Sequence, residues 1–232
     1  MKFFSALVLL LAAGLPPAAA QKGATLFTIE DEYAQRMFFG GLTLGANFSQ
    51  VDGDALAGYH RVGLHVGPQV WVRIKGALFA SVEILYAQKG SKDRSITDLG
   101  GAGPGVSGYD LKLNYAEVPV MLHYNYRRHF MFGLGASYAR LISSDESAFA
   151  AYPVNIHADV SYFHKDDIDW LAEVGYEFWK GWLIGLRYQY SLRSIRDGNR
   201  IPVGYGGGIA SGQFNNSFAL RVNYFFHSKA KE

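Results

Sequence analysis

The sequence predicts an all-β protein, an eight-stranded antiparallel up-and-down transmembrane β-barrel. Three observations carry this. Apolar residues alternate over eight separate segments, connections alternate short and long, and an export leader precedes a chain that has no later apolar run long enough for a membrane helix. Composition narrows the class further. Of 232 residues, 49% are apolar, 15% aromatic and 18% charged, with 27 glycines and no cysteine. That excludes a disordered chain, a disulfide scaffold and any cysteine-ligated metal site. The net charge of +2 comes without a basic run, so no nucleic-acid footprint is expected.

The chain opens with Met1-Lys2, an apolar stretch from Phe3 to Leu15, Pro16-Pro17 and the small residues Ala18-Ala19-Ala20. This is the three-part pattern of a secretory signal peptide, with cleavage expected after Ala20. Residues 1–20 are therefore read as signal peptide, 21–37 as a periplasmic lead-in, 38–226 as the barrel and 227–232 as a periplasmic tail.

The strands follow in order: Phe38–Phe48, Val62–Val72, Leu78–Tyr86, Ala116–Tyr126, Phe130–Arg140, Ile168–Phe178, Trp182–Leu192 and Phe218–Phe226. In each, even positions carry the apolar face, and Arg140 is the only charged residue among them. The odd face mixes glycine with acids, arginines and His65 and His123. A soluble barrel would turn its apolar face inward and a densely polar face to water. A membrane barrel inverts this, and small residues with both charge signs suit a narrow lumen. The gaps after strands two, four and six are short, and the others are long. This fits periplasmic turns and outer loops. Aromatics at the strand ends, such as Phe38, Tyr124, Trp182 and Phe226 on one side and Phe48, Trp170 and Tyr190 on the other, would form interfacial girdles. Leu111, Leu113 and Tyr115 put apolar residues at odd positions, so a parity switch near Ala116 suggests a bulge, with Pro119 as its companion.

Several segments resemble the PorT-like outer-membrane β-barrel family found largely in Bacteroidota. The most specific is Tyr115-Ala116-Glu117-Val118-Pro119-Val120-Met121-Leu122. Glu83-Ile84-Leu85-Tyr86-Ala87-Gln88-Lys89-Gly90, Gly63-Leu64-His65-Val66-Gly67-Pro68 and the pair Gly175-Tyr176-Glu177 with Leu186-Arg187-Tyr188 are also similar. The resemblance implies an eight-stranded barrel in the cell outer membrane and carries no shared catalytic motif.

Charged lumen residues must pair or lose their charge. Arg61, Glu83, Glu117, Glu173, Glu177, Arg187 and Arg221 are expected to form an ionic network that plugs the lumen. His157, Asp159, His164, Asp166 and Asp167 share the third long gap, but their spacing matches no closed metal site, and alternation from Val154 to Tyr162 reads as a projecting hairpin. No cofactor or metal is expected. No Ser or His lies on the even face, where an enzyme acting on membrane lipid would need its nucleophile, so the protein is expected not to be an enzyme. The leading expectation is a structural or interaction role through the outer loops. Outer-membrane lipid and other envelope or extracellular proteins would then be the partners. A narrow channel or transporter for small solutes or ions is the alternative, and a lipid-modifying enzyme comes third.

Overall fold

The computed structural model describes residues 37–53, 58–93, 106–127, 129–150, 163–200 and 212–226. The expected signal peptide, most of the lead-in, the tail at 227–232 and the hairpin around 154–162 lie outside them. Nine strands form one sheet: β1 (Phe38–Asp52), β2 (Arg61–Lys75), β3 (Leu78–Glu83), β4 (Leu85–Asp93), β5 (Val106–Tyr126), β6 (Phe130–Ala150), β7 (Asp166–Trp179), β8 (Trp182–Ser191) and β9 (Phe214–Phe225). Every pairing is antiparallel, and β1 pairs with both β2 and β9, so the sheet closes. Both β3 and β4 pair with β2 and β5, so they are successive halves of one stave. The ring therefore has eight staves.

The break at Ile84 corrects the single strand expected over Leu78–Tyr86, and two prolines explain it. Gln69 pairs with Glu83 and Val66 with Tyr86, so the interruption faces Pro68 on β2. Val82 pairs with Val120 and Leu85 with Glu117, so on the other side Ile84 lies opposite Val118 and Glu83 opposite Pro119 on β5. Proline has no ladder donor, and here two of them strip donors from both flanks of the Glu83–Ile84 step. Ile84 N–H keeps one bond, to the Pro68 carbonyl at 3.1 Å. Its own carbonyl leans over Gly67, where any Cβ would collide with it. Gly67→Ala is therefore expected to destabilise the barrel by about 1–3 kcal/mol. Gly40→Ala, whose Cβ would meet only Phe226 at 3.6 Å, is expected to be near neutral. Heat-induced mobility shifts of the two variants check this.

Pro119 is thus not the companion of a bulge in its own strand. β5 keeps its odd residues buried from Leu111 through His123 without a parity switch. The register does shift beside Tyr115, but the extra residue is Ile142 on β6, between Leu141 and Ser143. Beyond Ile142, burial on β6 passes to the even residue Glu146.

Along the staves the odd residues face the lumen and the even residues face outward. Leu42, Leu64, Val82, Val120, Leu134, Val174, Leu186 and Leu220 are among the exposed large apolar side chains, and all are even. Phe130 packs on Tyr176, and Trp182 on Tyr224, with ring centroids 5.1 and 4.7 Å apart next to the turns. The turns are short: Gly76-Ala77 lies after β2, Arg127 and His129 between β5 and β6, and Lys180-Gly181 after β7. Gly181 needs its φ of +80° to reverse the chain there, and Arg127 adopts a φ of 50°. At the other end the wall is taller than expected. Gln88 to Asp93 pairs with Tyr109 to Asn114, and Val106 to Tyr115 pairs with Leu141 to Ala150. Much of the sequence read as two long loops is strand, because a wall above the lipid needs no apolar outer face.

Candidate functional site: the filled lumen

The turn end of the lumen is closed by an apolar layer of Phe39, Trp71, Phe79, Met131, Leu183 and Phe225. His123 stacks on Trp71 with ring centroids 3.9 Å apart, and its Nε2 lies 2.8 Å from Ser81 Oγ. Trp71 donates to Gln69 Oε1 at 2.9 Å, and Gln69 donates to Asn223 Oδ1 at 3.2 Å. The Arg73 guanidinium lies 5.6 and 5.3 Å from the ring centres of Phe39 and Phe79.

Above this layer stand two arginines and two glutamates, all fully buried. Arg187 donates to Glu83 through Nη1 and Nη2 at 3.1 and 2.7 Å, and to Glu173 Oε2 through Nε and Nη2 at 2.8 and 2.7 Å. Arg221 donates to Glu83 Oε2 at 2.9 Å and to Glu173 Oε2 at 3.0 Å. Each cation touches both anions, and the four formal charges cancel. Their placement follows from parity: all four are odd, on β3, β7, β8 and β9, and Glu83 occupies the end of β3 that the two prolines define. His65 is buried at the same level, and neither ring nitrogen has a hydrogen-bond partner among the described residues.

A second cluster lies nearer the loop end. Lys89 Nζ is 2.6 Å from Glu117 Oε1 and 3.1 Å from Asp169 Oδ2, and its ammonium faces the Tyr115 ring at 5.3 Å. Gln189 donates to Asp169 Oδ2 at 2.5 Å. Ser191 Oγ and Asn215 Nδ2 approach Asp167 Oδ2 at 2.7 and 2.9 Å. A third pair closes the loop end. Arg196 binds Glu146 in a two-pronged pair at 2.9 and 3.0 Å, donates to Gln213 Oε1 at 2.7 Å and stacks over Phe163 at 4.4 Å. Val51, Leu111, Leu113 and Ile195 are buried as well. Just before β2, Tyr59 packs beside β9 and donates to Asn216 at 2.8 Å, and burial pushes its phenol up to about 12.

Of the seven residues expected in one network, four meet directly: Glu83, Glu173, Arg187 and Arg221. Glu117 belongs to the Lys89 cluster. Arg61 pairs with Asp110 toward the loop end. Glu177 sits at the turn end, where it accepts from Gly181 N–H at 3.2 Å. Lys89 and Arg196, both central to their clusters, are absent from the expected set, because both fall in sequence read as loop. Among the described residues no group of His, Cys, Asp and Glu is arranged to hold a metal.

A closed antiparallel ring of eight staves, apolar outside and charged within, defines the class of small outer-membrane β-barrels. The chain belongs to the family described as outer membrane protein beta-barrel domain, whose sequence model matches residues 20–197. The protein is accordingly one of the cell outer membrane. No curated protein sequence matches it. Among solved structures it is similar to Ail, the attachment invasion locus protein of Yersinia pestis, crystallised with the heparin analogue sucrose octasulfate. That match has 10% identity and a TM-score of 0.45, over 82% of this chain and 100% of that one. Neisserial surface protein A matches at 12% identity and a TM-score of 0.43, over 82% and 97%. OprG from Pseudomonas aeruginosa matches at 11% and 0.36, over 83% and 95%.

Proposed function

We propose that this protein is a plugged barrel whose role is structural or interactive, exerted through the loop end, and that it performs no catalysis. The observation that carries the reading is the lumen's filling along its length. An apolar layer at one end, two ionic clusters in the middle and the Arg196–Glu146 pair at the other leave each level occupied by side chains. An eight-stave barrel has room for little more. The ionic residues, in this reading, hold the staves together rather than conduct. The apolar layer weighs against the narrow-channel alternative, since an ion crossing it would have to pass between packed rings with few polar partners.

In the same proposal residues 1–20 are cleaved, the turns face the periplasm, and the loops face outward to meet other envelope or extracellular proteins. The chain falls in the PorT-like branch, on the strength of the segments Tyr115 to Leu122 and Glu83 to Gly90. Planar-bilayer recording of the purified full-length barrel tests the plug, and no stable large conductance is expected. Steady conductance on the scale of a sixteen-stranded porin would overturn it. Affinity capture with intact loops, set against a variant shortened at 94–105, tests the interactive role. Equal recovery of the same partners by both would remove that loop from the proposal.

A further inference from the structure

Ser191 stands between two carboxyl groups near the loop end of the lumen. Its Oγ lies 2.7 Å from Asp167 Oδ2 and 3.2 Å from Asp169 Oδ1, and it accepts the Asn215 N–H at 3.0 Å. A hydroxyl has one hydrogen to give. That hydrogen serves one of the two carboxyls, and the second contact needs a hydrogen of its own, because two bare oxygens so close repel. One carboxyl of the pair therefore carries a proton. Asp169 meets the Lys89 ammonium at 3.1 Å and the Gln189 amide at 2.5 Å, so its charge is matched. Asp167 meets only uncharged groups, Ser191 and the Asn215 amide at 2.9 Å, and its Oδ1 has no hydrogen-bond partner among the described residues. We infer that Asp167 is held as a neutral carboxylic acid in mildly acidic water and latches β7, β8 and β9 together at the loop end, its Oδ2–H donating to Ser191 and the Ser191 hydroxyl donating to Asp169.

The charges around Asp167 favour this state. Lys89 on β4 faces it together with Glu117 on β5 and Asp169 on its own strand, so three buried carboxyls share one ammonium. Full ionisation would leave two of those negative charges unmatched in a buried site, which is costly. The Tyr115 phenol on β5 accepts from the Asn215 amide at 3.1 Å. β8 and β9 present the uncharged Gln189, Ser191 and Asn215, β6 places Ala139 opposite Asp167, and every odd residue of β1 is uncharged. On β2, Arg61 is taken by Asp110 and His65 lies lower, while above the cluster Arg196 is taken by Glu146. Asp167 precedes the apolar alternation that starts at Ile168, and the outer wall beside it carries the Arg140–Asp166 pair, so it stands outside the lipid-spanning stretch. Burial, and then the Asp169 carboxylate, push its carboxyl up to about 6. Ionisation sends the proton to water, turns the Ser191 hydroxyl toward Asp167 and leaves Asp169 Oδ1 without its donor. The latch across the three staves then loosens.

Infrared spectroscopy of the full-length barrel in lipid bilayers reads the proton directly. At about pH 5.5, where an ordinary aspartate of pKa about 3.9 is ionised, the carbonyl band of a protonated carboxylic acid is expected. Without any variant, the band should shift when aspartate carboxyls carry an isotope label and stay when glutamate carboxyls do. It should vanish in Asp167→Asn and persist in Asp166→Asn, whose carboxylate is paired with Arg140. Urea titration gives the second reading. The fold keeps a proton that the unfolded chain has released, so stability falls as pH rises between about 4 and about 6. Across that window the unfolding constant of the native chain, relative to Asp167→Asn, should rise by up to about tenfold per pH unit, and it should level off above the window. An acid band that is missing from the native chain, that answers to the glutamate label, that survives Asp167→Asn or that is lost in Asp166→Asn overturns the inference. So does a ratio of unfolding constants that does not change with pH.

Discussion

Arg187→Met is expected to cost about 3–5 kcal/mol of unfolding free energy, the usual penalty for removing one partner of a buried ion pair. Arg187 supplies four of the hydrogen bonds that neutralise Glu83 and Glu173. Without it, two carboxylates share the single remaining cation, Arg221, in a lumen sealed below by aromatic rings. Urea titration of the barrel refolded in lipid vesicles, followed by tryptophan fluorescence, reads the loss. Removing a charge of each sign, as in Arg187→Met/Glu83→Gln, should recover part of it, because one anion is then left with one cation. Arg140→Gln is the contrast: its partner Asp166 is half-exposed, and exposed pairs contribute about 0–1 kcal/mol. If Arg187→Met and Arg140→Gln cost the same, the central cluster is not what holds the staves in register.

Val120→Arg is expected to impair insertion by about 2–4 kcal/mol, the cost of a cation on the lipid face near the bilayer midplane. Val120 is 54% exposed on the outer wall, while its neighbour Met121 is 1% exposed in the lumen. The sequence suggests that Met121→Arg would be milder, because lumen acids could receive the charge. The structure removes that expectation. Met121 packs against Gly135 and Gly133, where a Cβ would already lie 2.7 Å from its Cγ and 3.2 Å from its Cε. An arginine there overfills the lumen, so both substitutions should be damaging, one through lipid and one through packing. Fluorescent labels separate the two faces. Single cysteines at 118, 120 and 122 should be quenched by lipid-borne quenchers, and those at 119 and 121 should be spared. A flat profile would overturn the assignment of inside and outside.

How much of this was legible varied with depth along the stave. Mid-strand, one face alternates with the other, so Glu83, Glu173, Arg187 and Arg221 could be placed in the lumen by parity alone. At the turn end the pattern fails, because Phe38 and Phe39, Leu78 and Phe79, and Phe225 and Phe226 are adjacent apolar pairs. One member of each meets lipid and the other fills the lumen, so no period of two shows the closing layer. At the loop end the failure is the reverse. Gln88 to Asp93 is polar on both faces, as a wall standing in water can be, and it reads as loop. That concealed Lys89 and left Glu117 without its partner. Pro119 was visible from the start, but its meaning was not: its effect falls on the neighbouring stave, jointly with Pro68, and only register reveals it.

The described staves are unequal in length. Among the described residues, Leu141 to Ala150 of β6 pairs with β5 alone, whereas β7 begins opposite Arg140 and β8 ends at Ser191. At roughly 3.3 Å per residue and a tilt near 45°, that stretch carries the β5–β6 pair about 20 Å beyond the last described rung of β6 with β7. Beyond the closed ring the described β5–β6 pair stands as a two-stranded ribbon. A ribbon of that length carries its tip away from the ring, so whatever the tip meets is met clear of the barrel's own mouth.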